Sequence, residues 1–455
     1  MRANVSGDNP CKSTLFSNRE LKVLILPLMI EQVLAITVGM VDTMMISYAG
    51  EAAISGVSLV DMINTVIINV FAAVAAGGSV IISQYIGKKN KEQARRAADQ
   101  LLMITVLISV AIMLLTLLGR RPLLAALFGS VKADVMENAL IYLVISAYSY
   151  PFLAVFNSCA AVLRSIGNSK IPMYVSVGMN LMNAVGNAIL IFGFSMGVAG
   201  AAWSTFASRA MAAVVMFVVL LHRKFDVYLT PKRIFSWESG LVRKILYIAV
   251  PSGVENGIFQ FGRVVVVSII AVFGTVQIAA NAVANNLDTM GCIAGQAMNL
   301  AMITVVGRCI GAGDEKQAAC YIRKLLKITY LMTWGVNTAI LLTLPWTLRL
   351  YHLSGEARQL AFALVCIHNG FAMLLWPVSF TLSHALRAAG DVKYTMAVSV
   401  FSMIAFRVCF SVILGMYLEW GALGVWAAMV MDWIFRTTLF VTRFVREKWR
   451  GRRVV

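Results

Sequence analysis

Five stretches of this chain run without a charged side chain, over residues 101–119, 139–163, 171–208, 328–348 and 360–386. A hydrocarbon layer of roughly 30 Å is crossed by ~20 apolar residues wound as an α-helix, and each stretch is long enough. The third divides at Phe192-Gly-Phe-Ser-Met-Gly-Val-Ala-Gly200, which reads as a tight turn between two spans. A buried soluble core explains one such run, but not a succession of them. Membrane β-strands would show ~10-residue alternation instead of uninterrupted apolar runs. Composition agrees, since 13% of the residues are charged against roughly a quarter in soluble proteins.

The expected fold class is therefore an all-α membrane protein with twelve transmembrane helices. They are read at 21–49, 54–86, 94–119, 135–163, 171–194, 197–222, 244–273, 277–307, 318–348, 357–386, 394–418 and 421–442. The first span lacks an A-x-A-like cleavage site and is read as a retained helix, not a secretory signal. The seven cysteines show no CxxC spacing and lie mostly in or beside apolar spans. They suggest inert small hydrophobes, with no disulfide framework and no metal site.

A net charge of +18 invites a nucleic-acid reading, but the placement of the charge argues against it. Most of the 39 Lys and Arg lie in or beside the termini and the loops after even-numbered spans, such as Lys88, Lys89, Arg223 and Lys224. Only Arg120, Arg121, Lys132 and Arg349 lie in the loops after odd-numbered spans, with Arg358 at the edge of the tenth span. Short Lys/Arg-rich loops stay in the cytoplasm, so both termini are expected there and the basicity is a topology signal.

The chain also repeats itself. Residue n placed over n+224 aligns Pro27 with Pro251, Glu31 with Glu255, Gly50 with Gly274, Thr65 with Thr289 and Gly87 with Gly311. Leu163-Arg164-x-x-Gly167 matches Leu386-Arg387-x-x-Gly390 one residue out of register, and Gly197-x-x-Gly200 pairs with Gly421-x-x-Gly424 back at 224. Pro, Gly and Glu at one constant offset are not a product of apolar composition. Each half holds six spans, so the repeats are parallel, an arrangement that supports alternating access. The expected organisation is a cytoplasmic segment 1–20, an N-lobe 21–222, a cytoplasmic linker 223–243, a C-lobe 244–446 and a basic cytoplasmic tail 447–455.

An ionisable group at membrane depth costs at least a few kcal/mol, so each asks for a cavity, a partner or a function. Among the acids within the spans are Glu31, Asp42, Asp61, Glu255, Asp288 and Asp432, and among the bases Arg209, Arg263, Arg407 and Arg436. Asn180, Asn183 and Asn187 form one helical stripe. Asn256, Gln260 and Arg263 form another, with Glu255 beside it, and Asn281, Asn285, Asp288 and Asn299 a third. Asp42 differs from the rest: no basic residue lies within a turn of it, so its carboxylate is a candidate to exchange protons or bind a monovalent cation. Asp61 and Asp432 lie near span ends or Arg residues and read as structural. Interhelical hydrogen bonding, worth about 0.6 kcal/mol per contact, accounts equally for Asn281, Asn285 and Asn299. Methionines on these spans, Met29, Met40 and Met298 among them, offer adaptable contacts to apolar ligands but more often simply pack. No GxxxxGK[ST] or HExxH occurs, and Gly193-Phe-Ser-Met-Gly197, which fits GxSxG, lies in the turn between two apolar spans and not in a strand-to-helix turn, so neither direct ATP use nor an enzyme is expected.

These residues resemble the multidrug and toxic compound extrusion family of secondary transporters over nearly the whole chain. The carriers are Pro27, Val41-Asp42-Thr43, Gln84-Tyr-Ile-Gly87 and its copy Arg308-Cys-Ile-Gly311-Ala-Gly-Asp314, Pro251-Ser-Gly-Val-Glu255-Asn256, Ala279-Ala-Asn281-Ala, and the two Leu-Arg-x-x-Gly motifs. The resemblance implies two six-helix lobes in a bacterial plasma membrane, acting as a monomer. It also implies export of lipophilic, often cationic small molecules by antiport with protons or sodium ions. Asp42 matches the family's ion-coupling aspartate, and Asn183 and Asn187 match its fifth-helix Asn-x-x-x-Asp pair, with asparagine in the second place. The tenth-helix aspartate of some sodium-linked members is missing from Leu375-Trp376-Pro377-Val378, and Glu255 stands earlier than their glutamate. The implied ion-coupling set is Asp42, Asn183 and Asn187, with no metal beyond a sodium ion at Asp42 and no other cofactor. The implied substrate cavity is lined by Glu31, Gln32, Glu255, Asn256, Gln260 and Asp288. The alternative is a flippase for lipid-linked saccharides or other lipids, whose members line the cavity with cations; here six acids face four arginines at depth.

Overall fold

The computed structural model describes residues 15–129, 131–234, 236–351 and 353–455, so Cys11 and most of the 1–20 segment lie outside it. The described residues contain helices and no strand. Helices α1 (Asn18–Ser47), α2 (Glu51–Gly87), α3 (Lys91–Phe128), α4 (Ala133–Ser165), α5 (Lys170–Asn187) and α6 (Gly197–Leu221) carry the first half. After the short α7 (Pro231–Ile234) come α8 (Ser239–Ala271), α9 (Thr275–Gly291), α10 (Ile293–Gly311) and α11 (Glu315–Leu350). The second half closes with α12 (Gly355–Trp376), α13 (Ser383–Ala388), α14 (Val392–Ser402) and α15 (Gly421–Val445). Twelve helical segments are long and apolar enough to cross a membrane, in the order expected from the charge-free runs.

One expected helix is broken. The 277–307 span divides at Cys292 into α9 and α10. Asn337 of α11 donates from Nδ2 to the Gly291 carbonyl at 3.2 Å, and its Oδ1 occupies the space a Cβ on Gly291 would need. Glycine supplies both the weak helix preference and the room for that approach.

The repeat is written into the backbone as well as the sequence. A π-helical turn continues α5 over Ala188–Gly193, and another ends the eleventh span over Val412–Tyr417, 224 positions later at both ends. Beyond them Ser195 and Glu419, also 224 apart, both adopt the left-handed region at φ 53° and 56°. Non-glycine residues rarely do so, and a like strain in both copies marks one inherited turn.

The chain forms two compact units. One comprises 26–82 and 91–260; the other comprises 83–90 and 261–455 with residues 15–25. Within the first, Val57, Val60, Tyr142, Leu143 and Ala201 pack α2, α4 and α6 together. The linker is pinned in the same unit: the Thr230 N–H donates to Asp99 Oδ1 at 2.9 Å and Arg233 pairs with Glu92 at 2.8 Å. Within the second, Trp376, Trp426 and Trp433 centre the core. Large apolar side chains such as Leu118, Phe261 and Leu342 remain exposed on the helix flanks, as a lipid-facing surface requires. Five of the six described cysteines are free; Cys320 is disulfide-bonded, contrary to the reading of all seven as inert thiols.

Candidate functional site

The first unit gathers Asp42, Asn183 and Asn187 at one point. Asn183 and Asn187 stand one turn apart on α5 and so share a face. Asn187 closes the regular helix where the π-turn begins. Its Nδ2 donates to Asp42 Oδ1 at 2.8 Å. With the Asn183 amide oriented to satisfy both ends, its nitrogen donates to Asp42 Oδ1 at 2.7 Å and Oδ2 at 3.0 Å, and its oxygen accepts from Thr205 Oγ1 at 3.1 Å. Thr205 can reach because α5 and α6 approach closely: Ser204 Oγ donates to the Asn183 carbonyl at 2.7 Å and fills the place of a Cβ on Gly186.

Asp42 is half-buried, and among the described residues no basic group lies within ion-pair distance of it. Two amide donors compensate part of its charge. The Asn187 Oδ1 beside it is buried with no hydrogen-bond partner. A buried acceptor of this kind calls for a water or an ion.

Sequence reasoning left out a second layer around this point. Asp61 of α2 accepts from Asn64 Nδ2 at 3.3 Å, and Tyr150 OH donates to Asn64 Oδ1 at 2.8 Å. Asp61 lies within electrostatic reach of Asp42, and Arg209 of α6 within reach of both. The purely structural reading of Asp61 therefore understates its position. Its place ten residues beyond the start of α2, well inside the helix, was the available signal.

Glu31 is buried and ion-paired with Arg164 at 2.5 Å. Gln32, Asn256 and Gln260 are half-buried and Glu255 is buried, all in the first unit. The α9 stripe divides by role. Asn281 Oδ1 accepts from Trp426 Nε1 at 3.0 Å, and Asn285 bonds back to the Asn281 carbonyl at 2.9 Å. Asp288 meets His368 Nε2 at 2.6 Å. Asp432 is wholly buried, 3.1 Å from Arg436 Nε, and also accepts from Ser402. His368 was overlooked in sequence: it stands within the 360–386 run, where a neutral imidazole does not interrupt the charge-free pattern.

Comparison with known proteins meets this architecture at both halves. The MatE family model matches residues 27–189 and 251–413, two segments whose starts and ends are each 224 apart. Over 450 residues the chain is 28% identical to a probable multidrug resistance protein NorM of Thermotoga maritima, covering 96% of this chain and 94% of that one. Over 433 residues it is 27% identical to an uncharacterized transporter, YisQ, of Bacillus subtilis, covering 93% of each. Among solved structures, an outward-facing multidrug resistance MATE family transporter of the MOP superfamily superposes with a TM-score of 0.87 at 22% identity, covering 94% of this chain and 96% of that one.

Proposed function

Because the chain belongs to the MatE family of multi-pass membrane transporters, we propose that it is a secondary active exporter of lipophilic, cationic small molecules by antiport with protons or sodium ions. Asp42 is the coupling residue, with Asn183 and Asn187 as its partners. The observation that carries this reading is a carboxylate within an apolar span held by two amides and, among the described residues, by no ion-paired cation. Such an anion is stabilised by a proton or a monovalent ion far more than an ion-paired one would be.

The Asn183 amide supplies a response to loading. With nitrogen toward Asp42 it stabilises the empty carboxylate. Turned over, the nitrogen donates to Thr205 Oγ1 at 3.1 Å and the oxygen faces the Asp42 carboxylate. That second orientation, with the unpartnered Asn187 Oδ1, offers oxygen ligands to a sodium ion beside Asp42. A proton on Asp42 would instead use one of these oxygens as its acceptor. Substrate contact falls to the half-buried Gln32, Asn256 and Gln260 and to Glu255. Glu31 and Asp288 take part when their pairs with Arg164 and His368 open. Both termini are assigned to the cytoplasm of a bacterial plasma membrane on the Lys/Arg distribution, and one copy is taken as the transporting unit.

The test is efflux of a fluorescent lipophilic cation from proteoliposomes, under an imposed proton gradient and separately under a sodium gradient. One gradient is expected to drive transport in the wild type and to fail in Asp42→Asn. Full gradient-driven efflux in that variant, or no response to either gradient in the wild type, overturns the reading.

A further inference from the structure

A cluster of three unlike donor atoms lies in the second compact unit, where the Asp42 site does not extend. Asp288 of α9 and Cys292, at the break before α10, stand one turn apart, and His368 of α12 faces them. Asp288 Oδ1 lies 2.6 Å from His368 Nε2 and 3.3 Å from Cys292 Sγ, and the three ligand atoms all lie within 4.8 Å of one another.

The imidazole is positioned from behind. His368 is 1% exposed and stands edge-on to Trp426 and Trp433, with ring centroids 5.4 and 4.9 Å away. Its Nδ1 meets Asn369 Oδ1 at 2.9 Å. With that oxygen as the acceptor, Nδ1 carries the N–H and the Nε2 lone pair faces Asp288 and Cys292. A carbonyl behind the ring fixes tautomer and orientation in the way that outer partners of metal-binding histidines do.

A lone pair facing a carboxylate needs a proton or a metal ion between them. With a shared proton Cys292 serves only as a thiol donor to Asp288 Oδ1 at 3.3 Å, whereas a metal ion takes its sulfur as a third ligand. An N, O, S set suits a borderline-soft divalent ion, with three protein ligands and one open position. Bonds of about 2.0–2.3 Å in a tetrahedral site separate the ligand atoms by roughly 3.4 Å. The Asp288–Cys292 spacing of 3.3 Å is close to that value and the Asp288–His368 spacing of 2.6 Å falls short of it, so loading needs sub-ångström opening of the Asp288–His368 pair. Arg263 and Arg407 lie within electrostatic reach of the cluster, and Arg407 is itself 3.8 Å from Asp432. A carboxylate, a thiolate and a divalent ion sum to zero charge, so the loaded site presents no net cation to these arginines.

We propose that Asp288, Cys292 and His368 bind a thiophilic divalent cation of the zinc class, joining the α9–α10 break to α12. The probe is Co²⁺, titrated into the purified, tag-free, full-length protein in detergent and then displaced with Zn²⁺. The expected result is one equivalent bound, with tetrahedral ligand-field bands and a thiolate-to-cobalt charge-transfer band. Cys292→Ser removes the charge-transfer band, His368→Gln removes high-affinity binding, and Asn369→Ala weakens it by about 10–100-fold. A Zn²⁺-dependent rise in the melting temperature of the wild type provides a readout that needs no variant. Absence of stoichiometric Co²⁺ uptake, or a charge-transfer band that survives Cys292→Ser, overturns the proposal. No ion gradient enters the measurement, so its failure leaves the transport reading untouched.

Discussion

Gly87 and Gly311, 224 positions apart, each sit where a Cβ would overlap a main-chain carbonyl of the other repeat: Arg308 for Gly87 and Gln84 for Gly311. Positions 84 and 308 are themselves 224 apart, so the contact is reciprocal, as across a local two-fold axis. The ends of α2 and α10 therefore cross backbone to backbone. Gln84 is buried, and its Nε2 donates to the Ala388 carbonyl at 2.9 Å, so it has little freedom to yield. Gly311→Ala is expected to cost about 1–3 kcal/mol and to lower the apparent melting temperature in detergent by several degrees. Gly335, inside α11 with nothing within 4 Å of its Cβ position, is the control. Alanine there should be neutral or stabilising by roughly 0.5–1 kcal/mol. Equal melting temperatures for the two variants would show that the crossing is not tight.

The Glu31–Arg164 pair, at 2.5 Å with side-chain exposures of 10% and 14%, yields a second prediction. Removing one partner of a buried pair leaves an uncompensated charge at a cost of about 3–5 kcal/mol, whereas replacing both with apolar groups is often neutral. Arg164→Leu alone should lower thermal stability sharply, and Glu31→Leu added to it should restore most of the loss. Additive losses in the double variant would rule out a direct pair.

These contrasts show what the sequence could reveal. Span positions and the repeat were legible because charge-free runs and a fixed Pro/Gly/Glu offset are one-dimensional patterns. The Asp42–Asn187 meeting was reached through a family resemblance; α1 and α5 are 145 residues apart there, and no periodicity connects them. The break at Cys292 was not legible, because it depends on Asn337 from another helix. His368 escaped for a related reason: a lone imidazole in an apolar helix acquires chemistry only from what faces it, here Asp288 and Cys292. Asp61 was discounted on linear position, whereas its reach to Asp42 depends on how α1 and α2 pack.

Asn187→Asp tests the geometry of the coupling site by addition. The new carboxylate oxygen would stand where Nδ2 now lies, 2.8 Å from Asp42 Oδ1. Two carboxylates that close do not both ionise without a proton or cation between them. The variant should therefore carry one further ion per substrate, read as a shift of the reversal potential for efflux in proteoliposomes. An unchanged ion-to-substrate ratio would mean that position 187 does not share the ion held by Asp42.

Arg209 supplies the last prediction, because it acts on the coupling site without touching it. Its Nη1 donates to Ser149 Oγ at 2.8 Å, and among the described residues no acid lies within ion-pair distance of it. Its charge nonetheless reaches both Asp42 and Asp61. A fixed positive charge near a cation site opposes loading of that site, and at separations beyond contact in a partly wet pocket the opposition amounts to about 1 kcal/mol, or roughly fivefold in affinity. Arg209→Gln should therefore lower the ion concentration giving half-maximal efflux by that factor, while Arg209→Lys should leave it near the wild-type value. Ser149→Ala removes the anchor but keeps the charge, and should change ion dependence less than Arg209→Gln does. If the glutamine variant instead needs more ion than the wild type, Arg209 holds the pocket in shape and does not compete with the ion for its charge.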